Sequence, residues 1–365
     1  MPQRDSCDRP PFLSSFLSVP GPPFGLVYAR KNIAFVTLGN SIGILDTSKI
    51  KPTLTRKFPL PRNGRPQGNA FGFAITGDKR HLYVARGCGA VIIDVAKAIA
   101  GHKNPVIGRL CGNAGTSAIK VTLAAGEGYA FVSQEYGAGI THGRGAIEVF
   151  KLTRKPGGLV SSTYVGFAEL GYAVVGSALS PDGQVLYVTS ELRSNTTPQN
   201  KTPGWVSVLD VATLKTNPSH ALRFRVEAGC QPVRVAPSKD GRYVWVTARG
   251  SNKLLAFDAE KLRSKSPDAL LASVQLGTSP VSSILVKGGR YIITSDSNRF
   301  GYAGATTGLT VVDVKAALNG KQGFPRIPTG SFPREFAVSP DGNTLLVGQY
   351  GSKTIQAIDI GHLGD

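Results

Sequence analysis

Ser180-Pro181-Asp182-Gly183-Gln184-Val185-Leu186-Tyr187-Val188-Thr189-Ser190 reads as a tight turn feeding a short β-strand. Proline presets φ at the first central position of the turn, Gly183 supplies a positive φ, and the branched and aromatic residues after it suit a pleated, half-buried surface. The phrase recurs. Ser238-Lys239-Asp240-Gly241 leads into Tyr243-Val244-Trp245-Val246-Thr247, and Ser339-Pro340-Asp341-Gly342 into Leu345-Leu346-Val347-Gly348. Ile33-Ala34-Phe35-Val36-Thr37, Leu82-Tyr83-Val84-Ala85, Tyr129-Ala130-Phe131-Val132-Ser133 and Tyr291-Ile292-Ile293-Thr294 bring the set to seven, and a repeat at this spacing signals a propeller or solenoid rather than two unrelated domains.

A second β segment comes after each of these and closes on an aspartate at Asp46, Asp94, Asp210, Asp258, Asp313 and Asp359, while the third repeat has Phe150 there. Upstream, Pro23, Pro66, Pro232, Pro280 and Pro333 precede the next inner strand, where a residue without an N–H costs no ladder bond. Together, and with Tyr187-Val188-Thr189-Ser190 as the nearest copy, these segments resemble the YVTN repeats of lactonase-like β-propellers over nearly the whole chain. The resemblance implies an all-β fold: residues 1–365 as a single seven-bladed propeller of four-stranded antiparallel blades, strands A to D running outward from the channel. The seventh repeat lacks a fourth strand, so residues 12–19 should pair with residues 333–360 and close the ring, removing an open sheet edge.

Composition is compatible with this. The chain has 44 Gly and 24 Pro beside 41% hydrophobic residues, so it is rich in turns yet able to build a core. Its formal charge is +19, with the basic residues scattered rather than run together, which favours a small anionic partner over nucleic acid. No apolar stretch approaches the roughly 20 residues that span a bilayer, and a soluble monomer is expected. Cys7, Cys88, Cys111 and Cys230 form no CxxC. Cys88 and Cys111 should approach one face, where free thiols are the expected state and a disulfide the alternative in an oxidising compartment. Sequons at Asn195 and Asn200 hint at a secreted chain; otherwise a cytoplasmic one is expected.

Function should sit where the B-to-C loops and the D-to-A joints emerge together. From the last residue of the first segment to the Asp position, the spacing is nine in repeats one and two, but 17 in the third, 21 in the fourth and 19 in the sixth. Long loops in an economical array are more often functional than accidental. They offer Glu135, Tyr136 and His142, then Glu191 and Arg193, then Asp296, Arg299 and Tyr302. The joints and remaining B-to-C turns add Gln67, Asn69, Arg86, Arg234, Arg249, Ser282, Arg334, Glu335 and Tyr350. Glu135, Glu191, His142, Tyr136 and Arg249 are the catalytic candidates and the others ligand-binding ones. A carboxyl in a partly dry funnel makes a useful general base, tyrosines donate to an oxyanion, and guanidinium forks match planar anions. The competing reading is equally open: a solvated polar rim whose arginines pair with acids to tie blades together.

No GxSxG, HExxH, Walker or Rossmann signature is present, and the few histidines are dispersed, so neither a metal nor a redox cofactor is expected. Lactonase-type propellers rely on glutamate, arginine and histidine, and the resemblance implies an enzyme acting on a small anionic or carbonyl-bearing molecule. Candidate activities are lactone hydrolysis, or lyase, isomerase or cyclase chemistry such as a cycloaddition in fungal secondary metabolism. The alternative is a non-catalytic propeller binding an anionic ligand, a glycan or a protein.

Overall fold

The computed structural model describes residues 12–64, 68–195 and 202–364. Pro66, Gln67 and the Asn200 sequon lie outside them. Seven four-stranded antiparallel sheets succeed one another along the chain, spanning residues 23–59, 70–111, 118–169, 172–230, 232–275, 280–327 and 333–359. The outermost strand of the seventh is Ser14–Ser18, paired with Thr354–Asp359 from Ser14 opposite Ile358 to Ser18 opposite Thr354. The N-terminus therefore closes the last blade, as the missing fourth strand required.

The core is a ring of seven apolar seams, one per blade interface. The seam between blades seven and one, with Leu346, Ile355 and Ala357 against Leu26, Ala34 and Val36, is built like the rest, so no interface is left as an open end. Polar bonds reinforce the seams at the threonine of the repeat. Thr189 Oγ1 donates to the Val233 carbonyl of the next blade at 2.8 Å, Thr247 Oγ1 to Val281 at 2.8 Å and Thr37 Oγ1 to Phe71 at 3.1 Å. In blade six the same position holds Ser295, opposite Leu309 as Thr247 is opposite Leu254, and it donates to the Arg334 carbonyl at 3.0 Å.

The repeated aspartate ends the third strand and accepts a backbone N–H three residues on, capping a short helix in blades two, four, five and six. Asp46 and Asp359 cap tighter turns through Ser48 and Gly361. Phe150 needs no cap. In blade three the third strand runs on through Ala146–Arg154 into Val160–Glu169, and the ring is buried against Tyr164 instead. The Ser-x-Asp-Gly turns are locked the same way in three copies, with Ser180, Ser238 and Ser339 each donating to the aspartate two residues on.

The sequence favours free thiols at Cys88 and Cys111, and the structure instead joins them in a disulfide, with Cα atoms 4.7 Å apart. Gly89 opposite Cys111 places the two backbones side by side. The bond thus ties the B-to-C turn of blade two to the end of its outermost strand, on the face that carries the long loops. Among the described residues no helix is long and apolar enough to cross a membrane.

Candidate functional site at the channel mouth

Every inner strand begins with a register slip against its neighbour within its first few residues. A bulge re-aims a side chain, and here it delivers the third residue of the strand to the channel. Gly25 holds that position in blade one, and in blade four its register equivalent is Gly176, the fifth residue of the longer Tyr172–Leu179; a Cβ there would come within 2.5 and 2.4 Å of the Phe71 and Val233 carbonyls of the following blade. In blades three, five, six and seven the position carries Lys120, Arg234, Ser282 and Glu335. Backbone crowding strips side chains from part of the ring, so polar groups gather on the rest.

These groups form the floor. Arg234 crosses the channel to Glu335, its Nε donating at 3.1 Å, while its Nη1 donates to the Val175 carbonyl of blade four at 2.9 Å. Ser282 Oγ donates weakly to the same glutamate at 3.4 Å. Burial would raise the Glu335 carboxyl, but Arg234, Lys120 and Arg334 outweigh it and hold the group below its ordinary range. Lys120 has no such anchor, and desolvation, with Arg234 adding, pushes its ammonium down.

Above the floor stand the loop residues. Arg249 donates to Glu191 in a buried ion pair joining blades five and four, with the guanidinium 5.1 Å from the centre of the Phe300 ring. Arg334 lies 3.8 Å over Phe24 and 5.5 and 5.9 Å from Phe332 and Tyr350, a cation boxed by three aromatic rings. Desolvation, then Arg234, lowers it to about 9. Arg299 also flanks Phe300, at 5.7 Å. Glu135 faces this arginine group. Its carboxyl is raised by desolvation and by Glu191, while Arg334, Arg299 and Arg234 pull it back, so all five charges share one space. Tyr136, next in the chain and half exposed at the rim, is pushed up to about 12 by partial desolvation, with Glu135 and Glu191 adding. Five basic side chains at the mouth face three carboxylates, two of them already spoken for.

Glu135, Tyr136, Glu191, Arg234, Arg249, Arg299, Arg334, Glu335 and Tyr350 thus converge. Tyr302 packs its ring on Phe300 at the rim. Others lie elsewhere. Arg86 is wholly buried in the seam between blades one and two, donating to the Asn40 carbonyl at 3.1 Å. Asp296 points outward along blade six to Thr310 and Arg326, its carboxyl raised by burial to about 6. Arg193 stacks 4.0 Å over Trp205 and pairs with Glu227. His142 ends a short turn with its side chain in solvent, and Asn69 is exposed. Gln67 lies outside the described residues. Of Arg86, Asp296 and Arg193, only Arg86 reaches a neighbouring blade, and through a carbonyl; the ion pairs of Asp296 and Arg193 lie within blades six and four. No group of three or more metal-binding side chains occurs among the described residues.

Lys120, Phe24 and Phe332 went unnoticed in the sequence. Blade three has Ala118 where blades one, five, six and seven have the marker proline, so nothing pointed to the third residue of its inner strand; counting back from Tyr129 would have found it.

No family model and no curated relative matches the sequence. Solved structures do match in shape. A chain of hydrazine synthase from Kuenenia stuttgartiensis superposes with a TM-score of 0.68 at 15% identity, covering 94% of this chain and 97% of that one. A chain of a mitotic checkpoint complex superposes with a TM-score of 0.69 at 13% identity, covering 98% and 96%. One neighbour belongs to an enzyme and the other to a protein assembly, and likeness at such identity carries the fold alone: by its own topology and by these neighbours, the chain is a seven-bladed β-propeller.

Proposed function

We propose that this propeller transforms a small anionic or carbonyl-bearing molecule at the channel mouth without a redox cofactor, in the manner of the YVTN-repeat, lactonase-like family whose repeats it resembles. One observation carries the reading. Glu135 makes no side-chain hydrogen bond or ion pair with any described residue, its carboxyl is raised, and it faces Arg299 and Arg334, which likewise lack a carboxylate within ion-pair distance. A structural cluster would pair these charges with each other, whereas a binding site leaves them for a ligand.

The two arginines would hold a carboxylate, enolate or carbonyl oxygen and stabilise charge developing on it, with Tyr136 or Tyr350 as a further donor. For a lactone, Glu135 takes a proton from water as its oxygen adds to the carbonyl, the ring C–O bond breaks, and the proton passes to the departing alkoxide, leaving a hydroxy acid. Isomerisation or cyclisation would use the same acid–base group and the same anion clamp with no water added. Which of these occurs is read by turnover of a panel of lactones and β-dicarbonyl acids. Glu135→Gln should lower the rate roughly 10²–10⁴-fold, as loss of a positioned acid–base group does; an unchanged rate would refute its role.

A binding propeller is the second reading, favoured by exposed apolar side chains on the rim loops: Tyr136 at 48%, Ile140 at 49% and Tyr302 at 41%. Saturable binding without turnover of any panel member would select it. The Cys88–Cys111 disulfide and the exposed Asn195 support an oxidising, secretory setting for either reading.

A further inference from the structure

We propose that Lys120 is a reactive amine at the channel floor that forms a transient imine with the carbonyl of a ligand held by the arginines above it. The inference rests on the enzymatic reading of the mouth and adds a covalent step to it. Lys120 occupies the third position of the blade-three inner strand, the position from which Arg234 and Glu335 meet across the channel. No carboxylate lies within 4 Å of its ammonium and no hydrogen bond anchors it among the described residues, because the one acid of the floor, Glu335, is taken by Arg234, with Ser282 on its second oxygen. Around it stand Arg234 and, past Glu335, Arg334.

A lysine that serves as a structural cation keeps a carboxylate or carbonyl partner. One that is desolvated beside other cations loses its proton readily, and this is how amines are activated for attack on carbonyls. Burial and Arg234 both push in that direction here, with Glu335 opposing them. The neutral amine attacks the carbonyl carbon, a C–N bond forms, and the oxygen takes a proton from the nitrogen. Loss of that hydroxyl with the second nitrogen-borne proton releases one water and leaves the imine. No oxidant or reductant is needed, and the imine would draw electrons from the adjacent carbon, where Glu135 can remove a proton.

Glyoxylate, a small anion bearing an aldehyde, tests this in the full chain with cyanoborohydride, which reduces an imine to a stable carboxymethyl amine located by peptide mass spectrometry. At neutral pH Lys120 should be modified roughly tenfold or more faster than exposed lysines such as Lys49 and Lys155, as expected of an activated amine. Its labelling should persist to lower pH than theirs. Arg334→Met should reduce labelling of Lys120 and leave the exposed lysines unchanged. Labelling of Lys120 no faster than theirs, or with their pH dependence, would overturn the proposal and leave Lys120 a charged member of the floor. Lys120→Met provides the complementary test: if it folds, it should abolish turnover of carbonyl substrates, and full activity would also overturn it. If Lys120 is inert while Glu135→Gln still abolishes turnover, only the imine fails. If Lys120 is labelled but Glu135→Gln is fully active, the acid–base assignment fails instead.

Discussion

At the residue scale the mouth contains two kinds of charge. Arg249 and Glu191 are almost wholly buried and pair with each other, so removing one partner strands the other in the interior, a loss of about 3–5 kcal/mol. Arg249→Met should lower the unfolding free energy by that much in a denaturant titration, and the double variant with Glu191→Gln should recover a large part of it. Glu135, Arg299 and Arg334 lack such partners, and changes there should alter ligand handling far more than stability. Sequence reasoning placed both kinds on one face but could not separate them, because pairing depends on which side chains meet across blades, as Arg234 and Glu335 do over 101 residues. It read Asp296 and Arg193 as ligand contacts for the same reason. A loop position next to the channel looks identical whether its side chain turns inward or back along the blade.

Glu148 is a further buried acid. Its carboxyl accepts from the Ala114 N–H at 2.8 Å and from Gln134 Nε2 at 2.6 Å, holding the loop after Cys111, and burial raises it to about 7 from an ordinary 4.5. Because the folded pKa lies above the unfolded one, the native chain binds more protons between these values, and stability falls as pH rises through that window. Denaturant midpoints of Glu148→Gln measured from pH 5 to 7 should decline less steeply than those of the wild-type chain. Parallel slopes would show that Glu148 is ionised in the fold.

At the scale of the element, the repeat was legible because each of its letters has a local physical task. The turn needs its proline and glycine, the third strand needs a terminal aspartate to cap the helix or turn after it, and the threonine needs a carbonyl in the next blade. Thr247 shows how much rests on one letter. Its hydroxyl accepts from the Arg234 N–H at 3.1 Å and donates to the Val281 carbonyl, so Thr247→Val leaves two buried backbone groups unpaired behind a floor residue. A loss of about 1–3 kcal/mol per stranded group is expected in thermal or chemical unfolding, whereas an isosteric change without consequence would mean that the seams are held by apolar packing alone. What the repeat could not announce was Lys120, on a strand that begins with Ala118 and no marker proline, and the disulfide, whose formation depends on two backbones lying side by side.

At the scale of the whole molecule, the ring closes through Ser14–Ser18, and blades three, four and six bring Glu135, Glu191 and Arg299 together at a polar channel mouth. Other concave surfaces exist, such as the groove between the outer strands of blades four and five lined by Arg225, Glu227, Lys253 and Lys265, which is also mainly basic but opens on solvent. The central claim is that ligands choose the mouth over such grooves, for charge left unpaired within a desolvated funnel is the stronger attractor. A crystal structure of the chain soaked with small carboxylates and lactones tests it directly. The account predicts ligand density bounded by Glu135, Arg299 and Arg334, with an oxygen in hydrogen-bond reach of at least one guanidinium. Density confined to the peripheral grooves, with the mouth holding none, would contradict it.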